Sequence, residues 1–295
     1  MQVVFHIGAN TTEADRLLRA LGRNSEALRQ DGVCIPDPAH YRKQLQEAVA
    51  GPAGEGGTGQ VPPVQVRDRL LAETPGGRAA RRMILCNPAF LAWNRWVLAR
   101  GVFYPRAASK VAALGQVFPG DGIELFLGLR NPATFVPAIW RLSDMSWDEL
   151  TRGYDPLAAK WSDVVARIRE GAPGARICVW CNEDLIFIWG TLLRRMAGVA
   201  AERPMLGDHD LLAGVVSPEG LQRFLSHRAA HPGDSEGQIR ALIGDVLSRH
   251  VLPDAVEEEV DAPGWDAPLV KAITRAYDAD VARIASMPGV EFIAP

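Results

Sequence analysis

The sequence predicts an α/β fold with a parallel sheet covered by helices on both faces, and three observations carry that reading. Predominantly apolar runs, broken only by His6, Glu124 and Glu291, recur at Val3–Ile7, Met83–Cys86, Ile123–Leu129, Ile177–Cys181 and Val290–Ile293. Short apolar runs bounded by turn residues suit strands buried on both faces. The stretches between them carry helical periodicity, and strands alternating with helices build doubly wound sheets. The chain has 295 residues, 47% hydrophobic and 23% charged, which is enough for one large core.

Taken in order, the opening strand Val3-Val4-Phe5-His6-Ile7-Gly8 runs into Ala9-Asn10-Thr11-Thr12 and then into a helical run. Residues 13–30 set Ala14, Leu17, Leu18, Leu21 and Leu28 on one stripe, with Glu13, Asp15, Arg16, Arg19 and Arg23 elsewhere. Thr12, with Asp15 three positions on, predicts an N-cap and an acidic first turn. Such a strand–loop–helix unit aims unpaired backbone N–H groups at one point, and that point favours a phosphate or sulfate. His6, inside the strand, reads as a satisfied core or pocket-floor residue. Residues 51–63 predict a flexible surface loop. Its Gly54, Gly56 and Gly59 fit GxGxxG, but no strand precedes them and prolines follow, so the dinucleotide fingerprint lacks its context. The strand ending Gly128-Leu129-Arg130-Asn131-Pro132 places an arginine where it can fork onto a phosphate at the carboxyl edge of the sheet. Pro132 suits the first turn of a following helix. Further helices are predicted at 156–170, 184–198, 218–230, 236–250 and 266–286, with loops at 201–217 and 253–268. The whole of 1–295 reads as one domain, with 201–286 a mainly helical C-terminal region.

Composition excludes several classes of function. A formal net charge of −3 argues against a nucleic-acid or acidic-membrane binder, which needs a basic surplus. No stretch approaches the roughly 20 apolar residues of a membrane span. The N-terminus enters a strand without a basic leader, so no secretory signal is expected. Four cysteines in a chain of this length predict reduced thiols in a cytoplasm. Cys178 and Cys181 have CxxC spacing but fall within a strand, where i and i+3 point to opposite faces, so core cysteines are expected. His227 and His231 are spaced i, i+4 but lack the glutamate of HExxH and an evident third ligand beyond Asp208-His209-Asp210, so no metal is expected. Among the eight tryptophans, Trp93, Trp96, Trp140, Trp147 and Trp161 are read as core, with Trp140 or Trp147 alternatively lining a pocket after Arg130. No GxxxxGK[ST] occurs, which disfavours a P-loop kinase or NTPase.

Together these residues resemble the bacterial members of the sulfotransferase family, which use 3′-phosphoadenosine 5′-phosphosulfate (PAPS). Val4-Phe5-His6-Ile7-Gly8 looks like the family's opening strand, which precedes a Lys-Thr-Gly-Thr-Thr loop gripping the 5′-phosphosulfate. Asn24 to Pro36, ending Asp31-Gly32-Val33-Cys34-Ile35-Pro36, is similar to an "N…L…G-V-x-Y-P" stretch. Leu127–Pro132 is similar to the "R-x-P" segment that takes the 3′-phosphate, and Asn182-Glu183-Asp184-Leu185 to the end of a "Y-E-D-L" strand. The resemblance covers most of the chain. It implies a three-layer P-loop NTPase-like, sulfotransferase-like fold, with PAPS as cofactor and a hydroxyl acceptor. It assigns Gly8, Ala9, Asn10, Thr11, Thr12 and Arg130 to the cofactor and His40 to the general-base position. His40 reads equally as a loop histidine at a helix start, although imidazole chemistry suits a base at neutral pH.

The departures from the family pattern are specific. Thr11 stands where the family has its catalytic lysine, Glu13 at the loop glycine, Ala14 at a hydroxyl position and Ala138 at a phosphate-binding serine. The strand end Ile84-Leu85-Cys86-Asn87-Pro88 lacks "S-S-E". A lost donor beside a transferring group typically removes about 3–4 kcal/mol of barrier lowering. Arg16, Arg81 or Arg82 could stand in for the lysine. Two readings follow: a PAPS-dependent sulfotransferase, or a catalytically inactive or repurposed relative that binds a nucleotide, another anionic ligand or a protein partner.

Overall fold

The computed structural model describes residues 1–13, 15–50, 62–256 and 260–295. In chain order the elements are β1 (Gln2–Gly8), α1 (Arg16–Arg23), α2 (Ser25–Gln30), β2 (Val33–Cys34), α3 (Pro38–Ala50), α4 (Pro63–Glu73) and β3 (Arg82–Cys86). Then follow α5 (Ala107–Val117), β4 (Gly122–Leu129), α6 (Pro132–Arg141), α7 (Trp147–Leu150), α8 (Trp161–Gly171), β5 (Arg176–Cys181) and α9 (Leu185–Ala197). The chain ends with α10 (Asp210–Ala213), α11 (Pro218–Ala230), α12 (Glu236–His250), α13 (Pro253–Val256), α14 (Ala267–Ala285) and β6 (Val290–Phe292).

The strands form a single sheet in the order β2-β3-β1-β4-β5-β6, and every pairing is parallel. Side chains alternate along each strand, so β1 feeds two cores. Val3, Phe5 and Ile7 pack on one face with Tyr41 and Leu45 of α3, Leu70 of α4, Val111 of α5, Phe135 of α6 and Trp161 of α8. Val4 packs on the other with Leu17 and Leu21 of α1 and Ile188, Leu192 and Met196 of α9. Each large apolar side chain removed from water contributes about 1.5–3 kcal/mol. A smaller cluster of Leu212, Val216, Phe224, Ile243 and Val246 joins α10, α11 and α12 into a helical layer that packs beside α9, against Ile186 and Phe187. Among the described residues no helix is long and apolar enough to cross a membrane.

The topology places the site. From β1 the chain works through β2 and β3 on one side, then crosses to β4, β5 and β6 on the other. Ligands of open α/β sheets bind at such a reversal, outside the carboxyl ends of the strands. Here the reversal lies between β1 and β4, so the loop after Gly8 and the segment from Arg130 lie side by side.

The predicted strands appear within a residue or two of their expected ends. The two-residue edge strand β2 was not predicted, because Val33-Cys34 is too short to carry a period. The helical run predicted over 13–30 is two helices. Asn24, buried, divides them by bonding the Ala20 and Leu206 carbonyls through Nδ2 (2.8 and 2.9 Å) and accepting the Leu206 N–H. A short polar side chain competing for backbone groups ends a helix in this way. Thr12 is not the N-cap. Its Oγ1 donates to the Ala9 carbonyl at 2.8 Å, and α1 begins at Arg16 after Asp15. The helix expected at 156–170 starts at Trp161, while the 218–230 and 236–250 helices match their predicted limits. The 184–198 and 266–286 helices are observed as Leu185–Ala197 and Ala267–Ala285. The expected loops hold the short helices α10 and α13. Of the loop expected at 51–63, residues 51–61, with their GxGxxG, lie outside the described residues, and Pro63 opens α4. Cys178 and Cys181 fall in opposite cores, as strand geometry requires.

Candidate functional site

The loop that should cradle an anion is engaged with its own protein. β1 bulges against β4 between His6 and Gly8. Gly8 has φ +132°, and a Cβ there would lie 2.8 Å from the Pro88 carbonyl oxygen, so glycine is required. The Ala9 N–H donates to the Gly128 carbonyl at 3.1 Å. The Asn10 N–H donates to the Tyr104 hydroxyl at 3.1 Å, and that hydroxyl donates back to Asn10 Oδ1 at 2.8 Å. Asn10 Nδ2 bonds the Ala92 carbonyl (3.0 Å) and Asn94 Oδ1 (2.8 Å). Asn10 and Tyr104 are both buried. Two of the amides that would face a phosphate are therefore tied to β4 and to the segment after β3.

Thr11 takes φ +56° and turns its carbonyl, not its amide, toward Arg130, whose Nη1 donates to that oxygen. Arg130 Nε donates to Thr134 Oγ1 at 3.2 Å, and the side chain is largely buried. The structure thus brings Arg130 to the β1 loop, as the sequence predicts, but as a clasp on the loop backbone. Asn131 caps α6 by accepting the Ala133 N–H at 3.0 Å, with Pro132 in the first turn.

Beneath the loop lies a buried polar cluster. The Glu13 side chain is 0% exposed and sits 2.9 Å from His6 Nε2, off the line of a well-formed hydrogen bond. Among the described residues His6, both Glu13 carboxylate oxygens, Thr11 Oγ1 and Trp180 Nε1 have no hydrogen-bond partner. The His6 ring lies 5.7 Å from that of Trp180. His6 is therefore in the core, as expected, but unsatisfied. Glu13 folds inward and places a carboxyl group just below the turn where an anion would need to sit.

A second arginine flanks the loop from the β3 side. Arg42 of α3 donates through Nε to the Cys86 carbonyl at 2.9 Å and through Nη2 to Asp15 Oδ1 at 2.5 Å. The hydrogen bond from Arg42 holds the Asp15 carboxyl below its ordinary range. On the β5 side Glu183 accepts the Asn131 N–H at 2.7 Å and the Tyr277 hydroxyl at 3.0 Å. Burial pushes its carboxyl up despite those bonds.

His40 is exposed in the first turn of α3, one position before the buried Tyr41. Neither Arg81 nor Arg82 can replace the lysine. Arg82 starts β3, at the opposite edge of the sheet, and is buried against Glu124 at 2.8 Å; Arg81 bonds the Asp31 carbonyl. Arg16 lies on the outer face of α1, in a groove that Arg19, Asp210 and Leu211 also line. Trp161 Nε1 donates to the Arg130 carbonyl at 2.9 Å, and Trp147 packs edge to face with both Trp140 and Trp265. Trp93 and Trp96, expected in the core, are 55% and 42% exposed, while Leu91, Val97 and Leu98 of the same segment take the buried positions. His227 and His231 stack at 4.2 Å, with His227 near Asp234; His209 packs instead on Phe224. Tyr104, Asn94 and Arg42 were not singled out from the sequence; Tyr104 is 94 residues from Asn10 and carries no local pattern that announces the contact.

Comparison of this chain with family models, with curated proteins and with solved structures found no match.

Proposed function

We propose that this chain is a repurposed protein on a sulfotransferase-like, P-loop-like α/β scaffold, acting as a binding module for an anionic small molecule and not transferring sulfuryl groups from PAPS. The observation that carries this reading is the closed state of the β1 loop. Its first two amides are bonded internally, and the Thr11 carbonyl faces the arginine that would otherwise be offered to a phosphate. Sulfuryl transfer needs fixed positive charge around the transferring group, because preorganised donors supply much of the barrier lowering. Here threonine replaces lysine, and a carboxyl group lies under the turn. The residues present do not fit a phosphosulfate, and His40 is exposed in the first turn of α3.

One observation favours the second reading, a working sulfotransferase: Arg130 stands at the end of β4 and reaches the β1 loop. Two measurements decide between the readings. Calorimetric titration with 3′,5′-adenosine bisphosphate is expected to give no saturable heat that Arg130→Gln abolishes, and labelled sulfate is expected not to move from PAPS to a panel of hydroxyl acceptors. Transfer by the native chain would refute the proposal. Thr11→Lys is expected to remain inactive, since the loop amides stay bonded.

A further inference from the structure

Arg16, Arg19 and Arg23 stand at i, i+3 and i+7 on α1 and so share one stripe. The stripe is exposed at all three positions. It forms one wall of a groove of about 630 Å³ whose other walls include Asp210 and Leu211 of α10 with Val215, over Ala20 and Trp189. That volume lies within the ~300–1,000 Å³ usual for small-molecule sites. Helix arginines are commonly balanced by acids a turn away, but α1 (Arg-Leu-Leu-Arg-Ala-Leu-Gly-Arg) contains none. Arg23 is closed by Asp210 at 2.6 Å. Arg16 and Arg19 have no ion pair among the described residues, and the neighbouring Asp15 carboxylate is held by Arg42 at 2.5 Å. Arg19 also acts on that Asp15 carboxylate, so among the described residues four guanidinium groups, Arg42 included, share two carboxylates, and the groove wall keeps a positive surplus beside Leu211 and Val215.

We propose that this groove binds a small organic anion, a phosphate or sulfate monoester carried on an apolar body. The anionic head lies between Arg16 and Arg19, whose planar forks match its oxygens, and the body lies against Leu211 and Val215. The groove is on the outer face of α1, so the inference does not depend on whether the β1 loop takes PAPS.

Calorimetric titration with 1-naphthyl phosphate and with octyl phosphate tests it, with inorganic phosphate and 1-naphthol as comparisons. At least one ester is expected to bind saturably, more tightly than either comparison, and the stronger of the two tells whether the body is aromatic or alkyl. The double variant Arg16→Gln/Arg19→Gln should weaken that binding by at least ~10-fold, the scale of one lost charge-assisted contact. Arg69→Gln, on the exposed surface of α4, should leave it unchanged. Arg16 and Arg19 are exposed, so the double variant should fold, and its thermal melt verifies this. Absence of ester binding at millimolar concentration, equal binding by the folded double variant, or inorganic phosphate binding as tightly as the esters would each overturn the inference. Sulfate transfer by the native chain would refute the reading of the β1 loop and leave this one standing.

Discussion

Tyr104→Phe tests the internal closure of the β1 loop with the smallest available change. The substitution keeps the ring in its packed site and removes one oxygen, which accepts from the Asn10 N–H at 3.1 Å and donates to Asn10 Oδ1 at 2.8 Å. Asn10 is 3% exposed, so water cannot readily replace either bond. Each buried group left unsatisfied costs about 1–3 kcal/mol, which gives about 2–6 kcal/mol for the pair. At roughly 2 °C per kcal/mol for a chain of this size, the melting temperature falls by about 4–12 °C. Asn10→Ala removes one of the same bonds and also the two made by Nδ2. The double variant should therefore cost less than the sum of the singles, with a coupling of about 1–3 kcal/mol. Differential scanning calorimetry of the four proteins measures the cycle. A Tyr104→Phe effect within about 0.5 kcal/mol, additive with Asn10→Ala, would show that the loop is held by something else.

Glu124→Gln should destabilise the fold by about 3–5 kcal/mol in urea, because its buried carboxylate bridges Arg82 (2.8 Å) and Arg195 (2.7 Å); a loss below about 1 kcal/mol would count against a structural role for the network. Gly8→Ala should cost about 1–3 kcal/mol and lower the melting temperature, since a side chain at φ +132° meets the Pro88 carbonyl. An unchanged melt would remove the argument for glycine there. Arg195, bonded to Glu291 at 2.6 and 2.7 Å, holds that carboxyl below its ordinary value of 4.5. The pair's contribution is complete above that value and is lost as pH falls through the lower folded one. The stability gap between wild type and Glu291→Gln should accordingly narrow on acidification below pH 4.5. A constant gap would mean that the pair does not govern acid stability.

The sheet was legible because each of its longer strands is predominantly apolar and ends at a turn residue. β4 illustrates this: Ile123–Leu129 predicted the strand, and Arg130-Asn131-Pro132 predicted its end and the helix after it. Glu13 was visible as a departure from an anion-binding loop. That its carboxyl folds under the turn was not, since this depends on His6 and Trp180 coming together from two strands. The closure of the loop by Tyr104 was hidden for a related reason. A hydroxyl 94 residues distant leaves no periodic trace at either end. The split at Asn24 had a weak local signal, because asparagine is a poor interior helix residue. Its bonds to Leu206, 182 residues on, came only with the fold.

The two-sided sheet has a chemical consequence through its thiols. Cys34 and Cys181 lie in one core and Cys86 and Cys178 in the other. Burial pushes Cys34 up to about 11 and Cys178 and Cys181 up to about 12, so at neutral pH almost none of these sulfurs is nucleophilic. An alkylating reagent can modify them only when a helical layer lifts from the sheet. The order in which the four are tagged, read by peptide mass spectrometry, would report which side of the molecule opens first.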